Sequence, residues 1–261
     1  MIKITDDFVR QNNARILACI PLLRPHEPQK TQEPNDSQDE KGKLVTTEEK
    51  AFLWDIYNRP YLPTTERYDT VHIKGRKFST SKGTKIVKKL ERNLVVMAHP
   101  INLGGRGGSA KFLELTEKGF AAIDMKPKPG IGRGAGYEHG FWQYQIRENL
   151  RNVEGIQKAG IEGSLGNKCI DVLVETKELR MIAIEIAMTD AHEKENIEKD
   201  IEAGAARVFE ACRDKSVFEN VAKILEELSE DTRSKVKLCL VHQLVGEVEA
   251  FLIKSRSNEP T

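Results

Sequence analysis

Lys168-Cys-Ile-Asp-Val-Leu-Val-Glu175, followed after a short gap by Met181-Ile-Ala-Ile-Glu-Ile-Ala-Met188, is the stretch on which the reading of this chain turns. Side chains alternate faces along a strand, so parity sorts both segments. In the first, Ile170, Val172 and Val174 share one face, while Cys169, Asp171 and Leu173 take the other. In the second, Ile182, Ile184, Ile186 and Met188 share a face, opposite Ala183, Glu185 and Ala187. A hairpin turning near Lys177 to Leu179 sets Asp171 and Glu185 side by side, away from the apolar sets. Two carboxylates opposed across strands repel each other, and a divalent cation turns that repulsion into a binding site. The small Ala183 and Ala187 leave room beside Glu185 for a substrate backbone.

Outward from this pair the periodicity predicts a helix from Tyr137 and another over Asn196 to Gly204. A strand at Arg207 to Cys212, a helix at Ser216 to Leu228 and a strand at Val236 to Leu244 complete the series. The predicted class is α/β, a mixed sheet flanked by helices. The order α-β-β-β-α-β-α-β, with acids on the second and third strands, resembles the PD-(D/E)xK, or restriction-endonuclease-like, fold over roughly Tyr137 to Leu244. The resemblance implies that Asp171 and Glu185 bind Mg²⁺ or Mn²⁺. It also implies that Glu138 on the first helix completes the site and that the carbonyl of Ile186 occupies a backbone metal position. It departs from the pattern at Ile170, which stands where the family has Pro, and at Ala187, which stands where the family has Lys. A lysine that has migrated is known in this superfamily, and Lys199 is the candidate here, with Lys168 as a second. His139 and Gln143, within a turn of Glu138, can contact water or phosphate.

Residues 44–125 read differently. Thr46 and Glu49 form a capping-box pattern, and Phe52, Leu53, Ile56 and Tyr57 recur at helical spacing until Pro60. A short helix over Thr64 to Thr70 precedes one over Ser79 to Asn93, with Ile86, Val87, Leu90 and Leu94 as its apolar stripe. Lys82, Lys85, Lys89 and Arg92 form the opposite, cationic stripe, with Lys88 beside it. Strands at Val95 to Ile101 and Lys111 to Leu115 follow, joined across Gly104-Gly-Arg-Gly-Gly108, which puts Arg106 at the tip. Leu115-Thr-Glu-Lys-Gly119 then opens a last helix. This order resembles a winged helix-turn-helix, an α+β DNA-binding domain. Independently of that resemblance, the span from Arg67 to Lys111 holds 11 basic residues against 2 acidic ones, a distribution that rewards contact with phosphates. No Asn or Gln sits on the stripe to read adenine, so phosphate contact is the expected mode.

Taken together, 41 basic and 40 acidic side chains give a net charge of +1. The balances are 0 over residues 1–46, +7 over 47–130 and −6 over 131–261, so the neutral total conceals a dipolar chain. Residues 1–23 read as a strand and helix segment, and residues 24–43, without a Val, Ile, Leu, Met, Phe, Tyr or Trp, read as a mobile linker. A Gly/Pro linker over 126–136 separates the basic body from residues 137–255. Cys19, Cys169, Cys212 and Cys239 lie far apart in no metal-binding pattern and read as buried free thiols in a reducing cytoplasm. No apolar run approaches a membrane span, and Ile16 to Leu23, preceded by Asp6 and Asp7, does not read as a signal peptide. With no P-loop pattern, ATP hydrolysis has to come from a partner. The pairing of the two bodies resembles, more faintly, one attached to some prokaryotic conjugation-type or archaeal P-loop ATPases, which implies an ATPase or helicase partner. Three functions remain open: a metal-dependent DNA endonuclease, an inactive nuclease-fold adaptor that docks a partner or forms a homodimer, and a transcriptional regulator with a sensor domain.

Overall fold

The computed structural model of the chain describes residues 45–73, 75–104, 108–127 and 136–257. These fall into two compact units, with the boundary near residue 130. The segments read from sequence as 1–23 and 24–43, most of the 126–136 linker, and Arg106 lie outside the described residues.

In the first unit, α1 (Thr47–Asn58), α2 (Thr64–Thr70) and α3 (Thr80–Arg92) precede a hairpin of β3 (Val96–Asn102) and β4 (Ser109–Leu115) and a last helix α4 (Glu117–Ala122). A two-residue pairing of β1 (His72–Ile73) with β2 (Arg76–Lys77), which the sequence does not announce, sits between α2 and α3. The Thr46–Glu49 capping box forms with both of its hydrogen bonds. Phe52, Leu53, Ile56, Ile86, Val87 and Leu90 build the core with Val95, just before the hairpin, and Leu113 of β4. Arg67 of α2 is fully buried and is held by Asp55 at 2.6 Å and by the carbonyl of Pro60 at 3.0 Å. That pairing ties α2 to the end of α1, because a buried guanidinium demands a partner for its charge and its donors. One apolar expectation fails. Leu94 leaves the stripe, since the helix ends at Arg92 and Leu94 turns out to solvent with φ at 54°, while Val95 takes the buried place.

The second unit is a five-stranded sheet in the order β5 (Ile156–Leu165), β6 (Lys168–Thr176), β7 (Met181–Glu185), β8 (Arg207–Cys212), β9 (Val236–Leu240). The first three strands pair antiparallel and the last three parallel, giving a mixed sheet. The chain enters through α5 (Gly136–Leu150). It crosses from β7 to β8 through α6 (Glu193–Glu202), and from β8 to β9 through α7 (Lys215–Glu226) and the short α8 (Glu230–Ser234). It ends in α9 (Leu244–Ser257), which begins where the last strand was expected to continue. Alternation along β8 divides the helices between two faces. Val208 packs with Ile197 of α6, whereas Phe209 meets Phe251 of α9 edge-on at 5.9 Å. The β6–β7 turn lies as predicted, with Thr176 donating its N–H to the carbonyl of Arg180 and Leu179 at a left-handed φ of 60°.

Cys212 and Cys239 are buried free thiols, but Cys169, at the start of β6, is exposed. Among the described residues no helix is long and apolar enough to cross a membrane.

Candidate functional site: a buried carboxyl cluster and a lysine-rich helix face

The β6–β7 register runs from Glu175↔Met181 to Val172↔Ile184, and Asp171 follows one step beyond its end. There the side chain of Asp171 takes over from the ladder. Its Oδ2 accepts the Ile186 N–H at 2.9 Å and meets His139 Nε2 at 2.9 Å, while Oδ1 accepts Gln143 Nε2 at 3.0 Å. His139 and Gln143 lie one turn apart on α5 and are both buried, so a single helical face delivers both groups to one carboxylate. Ile170 now packs with Ala183 and Ile197 beneath α6, alongside Leu173, instead of sharing a face with Val172 and Val174. Residues three apart cannot share a face of a regular strand, so the simple alternation predicted for this strand breaks at Asp171.

Glu185 stands in register with Glu210 of β8. Opposite them, α6 turns Glu193, Ile197 and Asp200 inward, at i, i+4 and i+7 of one helical face. Asp171 and Glu185 are half-buried, while Glu193, Asp200 and Glu210 are buried behind them. Burial, followed by the charge of Asp171, pushes the Glu185 carboxyl up to about 11, and a hydrogen bond joins it to Asp200. Burial lifts Asp200 to about 6, against the pull of that bond and of the nearby Lys168 charge. Burial also drives Glu210 well above the usual carboxylate range, and it raises Glu193, with which Glu210 is hydrogen bonded. The cluster therefore contains two facing carboxyl pairs, Glu185 with Asp200 and Glu210 with Glu193. Among the described residues, no N–H or hydroxyl donor reaches either oxygen of Glu210 or Oδ2 of Asp200.

The predicted site residues are brought together only in part. Asp171 and Glu185 are neighbours, as the hairpin required. Glu138 is drawn instead to Arg213 at 3.4 Å, so a cation already opposes its charge. Ile186 contacts Asp171 through its N–H. Lys199 is exposed on α6; the helix turns its neighbour Asp200 inward, and one residue of helix rotates the direction by about 100°. Lys168, the second lysine candidate, is the one whose charge reaches the cluster. Ala183 and Ala187 leave no room for a substrate. Ala183 is packed against Ile197 and Ala205, and Ala187 against Cys212 and Val221. Sequence reasoning missed Glu193, Asp200 and Glu210. The inward i, i+7 spacing on α6 was legible, but an acidic helix reads as solvated until the sheet beneath it is known.

In the first unit, Lys82, Lys85, Lys88, Lys89 and Arg92 are all exposed on α3. They do not act as one stripe. Lys82 pairs with Glu48, and Lys89 with Glu49 at 2.7 Å, both on α1. Lys85, Lys88 and Arg92, at i, i+3 and i+7, keep no acidic partner among the described residues and form a separate cationic face. Lys111 on the hairpin pairs with Glu91 at 2.6 Å.

Compared with models of protein families, with characterised proteins and with solved structures, the chain matches none.

Proposed function

We propose that this chain binds DNA through the Lys85–Lys88–Arg92 face and hydrolyses phosphodiesters with a divalent cation, Mg²⁺ or Mn²⁺, taken up at Asp171 and Glu185. The observation that carries this reading is the carboxyl cluster. Five acids meet at the edge of β6, β7 and β8, and the burial that raises four of them is unfavourable for any charged form without a cation.

The fit of a metal rests on the donor set. Every group is a carboxylate oxygen, the preference of a hard cation, and among the described residues the buried oxygens of Glu210 and Oδ2 of Asp200 lack a hydrogen-bond donor. As the side chains stand, no three Asp, Glu, His or Cys groups among the described residues are placed to hold a metal ion, so a cation held by Asp171 and Glu185 would require side chains to rearrange around it. When bound, such a cation supplies Lewis acidity, making a water nucleophilic at neutral pH and offsetting charge on the phosphate. The chain's own residues do the rest. His139, Gln143 and the Ile186 N–H fix the orientation of Asp171, and Lys168 supplies the positive charge that Ala187 lacks. The fold of each unit and the order of its elements fit the winged helix-turn-helix and PD-(D/E)xK readings, and a P-loop ATPase or helicase partner belongs to the same proposal.

The test is nicking of supercoiled plasmid with Mg²⁺ or Mn²⁺. Cleavage by the wild type that is lost in Asp171→Ala and in Glu185→Ala supports the enzyme; undiminished cleavage in both variants overturns it. A second reading, a DNA-binding adaptor without chemistry that docks a partner or dimerises, is favoured by the Asp171 carboxylate, whose two oxygens already meet three protein groups. DNA binding without cutting in either metal is its signature.

A further inference from the structure

The opposite face of the same sheet carries a cavity that the carboxyl cluster does not explain. Arg207 and Phe209 of β8 and Lys237 of β9 form its floor, Phe209 and Lys237 being register partners. Glu247, Phe251 and Lys254 of α9 close one side, and the volume is about 370 Å³. That is within the size range of small-molecule sites, near its lower end.

Its charge runs against its surroundings. Residues 131–261 carry a balance of −6, yet this cavity holds Arg207, Lys237 and Lys254 against a single acid, Glu247. That acid is taken by Lys237 at 3.1 Å. Arg207 has no carboxylate partner among the described residues. It donates Nη1 to the carbonyl of Ser234, lies 5.5 Å from the centre of the Phe251 ring, and has a buried Nε without an acceptor. Partial burial, with no counter-charge beside it among the described residues, lowers its pKa. Lys254 likewise has no acidic partner among the described residues. Two uncompensated cations beside an aromatic wall call for a ligand with an anionic end and a flat apolar body. A guanidinium with an ammonium near it suits a phosphate, and a phenyl wall suits a base.

We propose that this cavity binds a nucleoside 5′-monophosphate, either free or as the 5′-terminal residue of a DNA strand, with the phosphate between Arg207 and Lys254 and the base against Phe251. The proposal does not depend on metal chemistry, since Glu185 and Glu210 project from the other face of the sheet.

Calorimetric titration of the full chain with deoxyadenosine 5′-monophosphate at low salt tests it. One saturable site per chain is expected, weakened at least tenfold in Lys254→Glu and in Arg207→Gln, with unphosphorylated deoxyadenosine not binding. Lys254 is at the surface, so its variant keeps the test valid if loss of the Arg207–Ser234 hydrogen bond disturbs folding. Absence of saturable binding, unchanged affinity in Lys254→Glu, or equal binding of deoxyadenosine each overturns the site. Oligonucleotides with and without a 5′-phosphate separate the two sources. A preference for the phosphorylated strand that vanishes in Lys254→Glu assigns the strand end; no preference assigns the free nucleotide. Asp171→Ala leaves this binding unchanged, so failure of the nuclease reading and failure of this one are read separately.

Discussion

Replacing Lys85, Lys88 and Arg92 together by Ala removes the three α3 cations that have no acidic partner among the described residues. The other two, Lys82 and Lys89, are held by Glu48 and Glu49. Each phosphate neutralised on duplex DNA contributes a slope of about −0.9 to log K against log salt, so losing three contacts flattens the slope by about 2.7. Between 50 and 200 mM salt that difference amounts to roughly 40-fold, by which the wild type weakens more than the variant. All three positions are exposed on a helix, where Ala is the best helix former, so the unit keeps its fold. Fluorescence anisotropy of a labelled duplex, titrated at several KCl concentrations, reads the slope directly. The companion variant Lys82→Ala/Lys89→Ala removes charges already neutralised within the protein and leaves the slope close to that of the wild type. An unchanged slope in the triple variant, or an equal flattening in the double, refutes the division of α3 into an engaged and a free cationic face.

Two predictions concern stability. A Cβ at Gly83 would lie 2.3 to 2.8 Å from ring atoms of Tyr68, so Gly83→Ala forces α2 and α3 apart. Overpacking of about 1–3 kcal/mol opposes a helix-propensity gain of about 1 kcal/mol, and urea unfolding should show a net loss of up to about 2 kcal/mol; a stabilised variant contradicts the contact. Glu185 holds its proton in the fold up to about 11 against an ordinary 4.5, so its contribution to stability is complete below 4.5 and is lost as pH rises toward 11. Thermal melts between pH 5 and 8, with chelator present, should therefore decline less steeply in Glu185→Gln than in the wild type, and equal slopes argue against a protonated Glu185.

Local pattern made much of the fold legible. The capping box at Thr46, the apolar periodicity of α1 and, apart from Leu94, of α3, the hairpin turn before Met181 and the strand parity of Ile182 and Ile184 depend on neighbours within a few residues, and each forms as read. Failures came where the deciding partner is distant in sequence. Lys199 is a candidate by its place on the helix after the Glu185 strand, yet α6 buries Ile197, which turns Asp200 to the sheet and leaves Lys199 in water. Glu138 looked like a free acid until Arg213, brought close by the turn after β8, claimed it.

The sequence by itself determined most of the elements and their order, though not the β1–β2 pairing, α8 or α9, together with the opposite charges of the two bodies and the adjacency of Asp171 and Glu185, since periodicity and composition are properties of contiguous residues. Only the tertiary structure decided which charges are compensated. It added Glu193, Asp200 and Glu210 to the acid pair, gave Asp171 three partners, and split the lysines of α3 into two sets. Charge compensation and desolvation depend on distances of a few ångströms between groups tens of residues apart, and folding alone sets those distances.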